Sequence, residues 1–158
     1  MGNKQLKYYS NDVPEFSFNN INTYCKVVDI YDGDTFRIVF VYKKRPIKIT
    51  IRAYGCDTPE LFPPKAKSNR EEEMKIARMA RNRLVQLCTD CTINVNKNYS
   101  TKEIKEILKE NRRIVYIRLG KYDKYGRILG RLYQNKKDTM CVHDVLINEG
   151  LGIKYMTD

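Results

Sequence analysis

The sequence predicts an α+β domain that is mainly β: a five-stranded barrel of the OB type with flanking helices. Three observations lead there. Between Thr23 and Gly55 the chain reads as three β runs in succession, joined by short turns. Two further β runs, "IVYIRL" and "RILGRLY", are joined through "GKYDKYG". Helical patterns separate the two groups and follow the second, which suits a small barrel with helices packed outside it.

Residues 1–20 mix Tyr, Asn and Lys with one Pro and show no period, so they read as an N-terminal arm to a domain spanning 21–158. "YCKVVDIY" and "TFRIVFVY" are β-branched and aromatic runs. They flank Asp32-Gly33-Asp34, and Asp-Gly between such runs signals a tight hairpin. "RPIKITIRAYG" alternates, with Ile47, Ile49 and Ile51 on one face and Lys48, Thr50 and Arg52 on the polar one. "CDTPELFPPKAK" is a breaker-rich loop. A helix follows, with Ser68 and Glu71 at capping-box spacing. Ala77, Ala80, Leu84 and Leu87 form its core-facing stripe. "CTINVN" reads as a strand. "STKEIKEILKENRR" reads as a short basic helix, again with a capping-box pair, Ser100 and Glu103. "CVHDVLINEG" reads as a last short helix that Gly150 ends as its C′ residue.

The length, 158 residues, suits one domain, and 42% hydrophobic with 31% charged residues is a soluble globular composition. No apolar run approaches membrane-spanning length. The N-terminus lacks the apolar stretch of a secretory signal, and Leu6 stands where a myristoylation pattern needs Ser or Thr. These features predict an intracellular, cytoplasmic protein without a membrane partner; the oligomeric state is not legible, and a monomer is the simplest expectation. The five cysteines are scattered, "CTDC" has no second ligand pair, and His143 is the single histidine. The thiols therefore read as buried side chains, not a zinc site. A net charge of +11 points to a polyanionic partner, nucleic acid before an anionic membrane.

No Ser-His-Asp set can be built with one histidine, and no GxxxxGK[ST] or GxGxxG run occurs. What clusters is "IRAYGCDTPE", with Arg52, Asp57 and Glu60. In a meander, Asp34 at the start of the second strand and Asp57 after the third meet at one end. Adjacent carboxylates repel unless a cation or proton lies between them. Oxygen ligands favour Ca²⁺ or Mg²⁺ over softer metals. Beside Arg52, such a site fits a phosphodiester, whose charge grows during displacement. Glu60 could orient or deprotonate water. "DKYGR" adds Arg127, able to grip two phosphate oxygens, and Tyr125, able to stack on a nucleotide. Singly, each piece has a plainer reading: Asp32 and Asp34 as turn residues, Arg52 as a solvated strand residue, Glu60 as a loop acid, "DKYG" as a hairpin turn. Their combination carries the argument.

Together, "DGDTF" (32–36), "RAYGCDTPE" (52–60) and "DKYGR" (123–127) resemble, in order, the motifs of the staphylococcal nuclease-like (thermonuclease) domain family. "VLINEGLG" resembles that family's last helix, and the resemblance spans about Thr23 to Ile153. It implies metal ligation by Asp34, Asp57 and the Thr58 carbonyl, with Asp32 behind them. It implies phosphate binding and charge stabilisation by Arg52 and Arg127, and Glu60 as general base or water-orienting acid. Lys124 and Tyr125 would contact the nucleotide. The implied activity is endonucleolytic hydrolysis of DNA or RNA, dependent on Ca²⁺ or another divalent ion, leaving 3′-phosphate ends. The alternative is a non-catalytic OB module that binds single-stranded nucleic acid. The "LFPPKAKSNREEE" loop departs from the family pattern. Residues near 99–113 look like a helical insertion, which leaves "CTINVN" and "IVYIRL" as rivals for the fourth barrel strand. The short hairpin through "GKYDKYG" favours "IVYIRL". "GIKYMTD" gives no secure place to Tyr155.

Overall fold

The chain, described over residues 2–155 in a computed structural model, runs in the following order. A 3₁₀ turn (Asn3–Tyr8) lies in the arm. Then come β1 (Asn22–Ile30), β2 (Thr35–Tyr42), β3 (Arg45–Ala53) and the two-residue β4 (Cys56–Asp57). Helices α1 (Arg70–Cys88) and α2 (Thr101–Glu110) follow. The chain finishes with β5 (Val115–Tyr122), β6 (Ile128–Tyr133), α3 (Val142–Asn148) and β7 (Ile153–Lys154).

The first three strands form the expected antiparallel meander. The β5–β6 hairpin pairs with β1 on one side and, in parallel, with β3 on the other. The result is a closed five-stranded barrel, ordered β1-β2-β3-β6-β5, so no barrel strand has a free edge. "IVYIRL" is thus the fourth barrel strand. Inward-facing Val27, Phe36, Ile38, Ile51, Ile117 and Leu132 are fully buried, as the alternation requires. No helix among the described residues is long and apolar enough to cross a membrane.

"CTINVN" is not a strand; residues 92–95 are irregular. Its carbonyls are satisfied by side chains of α1 instead of a ladder. Gln86 Nε2 donates to the Ile93 carbonyl at 2.8 Å, and Asn82 Nδ2 donates to those of Val95 and Lys97 at 2.9 and 2.8 Å. Buried backbone needs partners, and here side-chain amides supply them.

The Ser68–Glu71 capping box also does not form. The N-cap of α1 is Asn69, without a side-chain capping bond. Glu71, Glu72 and Glu73 place negative charge at the positive end of the helix in its stead. The Ser100–Glu103 box does form: Glu103 N–H donates to Ser100 Oγ at 3.1 Å, and Ser100 N–H to Glu103 Oε2 at 2.7 Å. It starts α2, which lays Ile104 and Leu108 on the barrel.

At the end of α3, Gly150 (φ 74°) donates to the Ile147 carbonyl, and Leu151 donates to that of Leu146. That is a Schellman cap, and it turns the chain back so that β7 can pair with β4. In the arm, Phe18 is buried against the rings of Phe40 and Tyr42 at 5.4 and 5.2 Å.

Candidate functional site

One end of the barrel gathers most of the predicted residues. A cavity of about 530 Å³ is lined by Asp32, Asp34, Arg52, Asp57, Thr58, Glu60, Tyr125 and Arg127. Of the expected set only Lys124 lies outside that lining; it is exposed and sits over the Tyr125 ring.

The β1–β2 connection is not a tight glycine turn. Ile30 and Phe36 are the last pair, and the Tyr31 and Asp32 amides both donate to the Thr35 carbonyl. Gly33 does not take a positive φ. What it supplies is room: a Cβ there would lie 2.7 Å from Thr58 Cγ2 and 2.9 Å from Ala80 Cβ. The loop can therefore press against α1 and the segment after β4.

Asp32 is a turn-former. Its Oδ1 accepts from the amides of Asp34 (3.2 Å) and Thr35 (2.8 Å). Asp34 faces inward across the site. Its Oδ2 accepts from the Thr58 amide (2.7 Å) and hydroxyl (3.0 Å), and its Oδ1 from the Thr35 hydroxyl (3.0 Å). Thr58 thus meets Asp34 through donors.

Arg52 is buried, not solvated as the polar face of β3 suggested, with 6% of its surface exposed. The segment through β4 folds over it. Nη1 donates to the carbonyls of Ala53 (3.1 Å) and Cys56 (2.7 Å) and lies 3.5 Å from Asp34 Oδ1. Nη2 donates to Asp57 Oδ1 at 2.6 Å. One guanidinium therefore bridges the two carboxylates.

Even so, the acids outweigh that one cation. Burial, then the charge of Asp34, pushes the Asp32 carboxyl up to about 7. Burial, then Asp34 again, raises Asp57, against the pull of Arg52. Such a site has negative charge left to neutralise. No group of three His, Cys, Asp or Glu side chains suited to a metal occurs among the described residues. The expected set has two carboxylates and one carbonyl, and a hard cation commonly completes its shell with water. The oxygen donors and the excess negative charge fit a divalent ion of that kind.

Arg127 arrives by local chemistry. Asp123 Oδ1 accepts from the Tyr125 and Arg127 amides, both at 2.9 Å, and its Oδ2 accepts from Arg127 Nε at 2.7 Å. Gly126 (φ 80°) completes the turn. Burial works to raise Asp123, but these bonds hold it below the usual carboxylate range. The Nε edge of Arg127 is thereby fixed, while Nη1 lies 3.5 Å from Thr35 Oγ1 on the cavity wall. Glu60 is exposed on that wall.

Three cavity residues had no assigned place in the sequence reading: Tyr31, Phe62 and Tyr155. With Tyr125 they are 60, 65, 51 and 72% exposed, respectively, so the rim is aromatic. Tyr155 lies over Arg52, ring centre to Cζ 5.7 Å. Each belongs to a different segment, and only Tyr31 adjoins a recognised motif. The rest of "GIKYMTD", residues 156–158, lies outside the described residues.

His143, on α3, is a further residue the reading left without a role. Its ring is fully buried, stacks on Phe36 at 5.6 Å, and Nε2 lies 2.9 Å from the Gly33 carbonyl. A carbonyl only accepts, so Nε2 carries the proton, and Nδ1 is buried without a partner. The helix thus holds the acidic loop from behind. Burial pushes His143 from 6.5 to about 4, although the Gly33 bond works the other way. The unfolded chain therefore takes up a proton first. Stability from His143 is complete above pH 6.5 and falls as pH drops toward 4. The stability advantage of the parent over His143→Gln, from urea melts, is expected to shrink by on the order of 3 kcal/mol across that window. A difference independent of pH would disprove the assignment.

No protein-family model matches the chain, and no curated protein matches it.

Proposed function

We propose that the protein is a metal-dependent endonuclease, a member of the staphylococcal nuclease-like family, that hydrolyses phosphodiester bonds of DNA or RNA. One observation carries the reading: Asp34, Asp57, Glu60, Arg52 and Arg127, drawn from three separate sequence blocks, line one cavity with an aromatic rim. A binding module has no need of that acid set.

Asp34, Asp57 and the Thr58 carbonyl would hold the cation, Ca²⁺ first and Mg²⁺ as a substitute. When bound, it supplies positive charge to a phosphoryl oxygen. The Nη edge of Arg127 accepts a second phosphoryl oxygen, and Arg52 holds the acids in register behind it. Glu60 takes the proton of an attacking water or orients it. The exposed rings of Tyr125, Tyr31 and Phe62 offer faces to unpaired bases. Lys124 adds charge outside the cavity. The net charge of +11 favours capture of a polyanion.

The test is a panel of single-stranded DNA and RNA against Ca²⁺, Mg²⁺, Mn²⁺ and chelator, with end-group analysis. Cleavage is expected with a divalent ion, lost on chelation, leaving 3′-phosphates. Salt-sensitive binding with no turnover at any ion would instead make the protein a single-strand binding module.

A further inference from the structure

We infer that the outer face of β5 and β6 is a second nucleic-acid contact: a basic groove that holds the sugar-phosphate backbone of a single strand running on from the cleavage site. This rests on the nuclease reading for its substrate, but it stands on different residues.

The groove, about 680 Å³, is lined by Arg118, Lys121 and Arg131 with Tyr54, Tyr133 and Leu129 among others. Among the described residues, no carboxylate lines it. Arg118 and Arg131 are directly opposite each other in the β5–β6 register. Like charges in that relation repel, and neither pairs with an acid among the described residues. The fold nonetheless holds both in place. Arg118 lies over the Tyr133 ring and Arg131 over the Tyr54 ring, each at 4.5 Å. Stacking fixes a guanidinium by its face and leaves its edge for oxygens. Two such edges side by side, with no internal anion, are matched by the oxygens of a phosphodiester.

Position decides which phosphodiester. Leu129, in the groove, is the register neighbour of Arg52, in the site, and both are on the outward face of the barrel. Along β6, Arg127 and Arg131 are four residues apart, about 13 Å of strand. A strand gripped by Arg127 therefore reaches Arg131 without leaving the surface. Asn19 and Asn20 rim the groove, and Asn20 is tied to β5 through its amide on the Leu119 carbonyl (3.0 Å). A concave track of this kind admits a strand better than the flat headgroup layer of a membrane. The exposed rings at the neighbouring site favour unpaired bases, hence a single strand.

The test is the variant Arg118→Gln/Arg131→Gln, with Arg118→Lys/Arg131→Lys beside it. Binding of a labelled oligothymidylate in chelator is read against salt, with melting temperature and turnover of a p-nitrophenyl phosphodiester as controls. The Gln pair is expected to bind about tenfold more weakly at low salt, with a slope of log K on log salt flatter by about 1.4. The Lys pair keeps most of that slope. Small-diester turnover stays at the parent's value, and the Gln pair melts no lower than the parent, since a repulsion is gone. Parent-like affinity and slope would overturn the groove, as would a lowered melting temperature, or a loss seen only with phosphatidylserine vesicles. A parent that cleaves no diester removes the nuclease reading but leaves the salt slopes to decide the groove.

Discussion

Replacing Glu60 with glutamine is expected to lower cleavage of single-stranded DNA by about 10²- to 10⁴-fold while leaving oligonucleotide affinity within about twofold. Glutamine keeps the size and a hydrogen-bonding oxygen of glutamate but cannot take a proton. Glu60 is exposed on the cavity wall, clear of the Arg52–Asp34–Asp57 cluster, so the change leaves those contacts intact. Stability should therefore stay within about 0.5 kcal/mol of the parent, as for other surface changes. The pattern matters more than the size of the loss. A fall in kcat with unchanged binding assigns Glu60 to the reacting water. A rise in KM alone would make it a substrate contact, and an unaffected enzyme would remove it from the site.

How far the sequence reached differs from one residue to the next, and the reason is range. The "DKYGR" hairpin, the Ser100–Glu103 box and the Gly150 cap are closed by bonds within five residues, so their chemistry is written locally. The meander follows from alternation, and it brings Asp34 and Asp57 to one end as expected. The errors come from partners far along the chain. "CTINVN" has strand composition, yet Asn82 and Gln86, seven to fifteen residues earlier, take its carbonyls. Arg52 sits at a polar strand position but is buried because the Cys56 carbonyl and Asp57 close over it. Gly33 looked like a turn glycine; its need is set by Thr58 and Ala80. Tyr31, Phe62 and Tyr155 converge only in three dimensions, and no spacing rule joins them.

Removing the Arg52 side chain tests the centre of the site most severely. Arg52→Met is expected to cost about 3 kcal/mol of stability in chelator, because it strands acids that the guanidinium now bridges. Asp34 dominates the loss: its side chain is only 8% exposed, whereas that of Asp57 is 46% exposed and screened by water. Thr58 and Thr35 still donate to Asp34, which keeps the loss at the lower end of the range for a broken buried pair. Two consequences separate this account from simple loss of packing. Adding Asp57→Asn to Arg52→Met should restore part of the stability, since one repelling charge is gone. Ca²⁺ should stabilise Arg52→Met more than the parent, because the acids then lack their internal cation. Arg52→Lys is expected to fold but to lose about 10²–10³-fold in turnover, as one ammonium cannot span both acids and two carbonyls. A melting temperature for Arg52→Met equal to the parent's in chelator, or a fully active Arg52→Lys, would show that the bridge seen between Asp34 and Asp57 is not what organises the site.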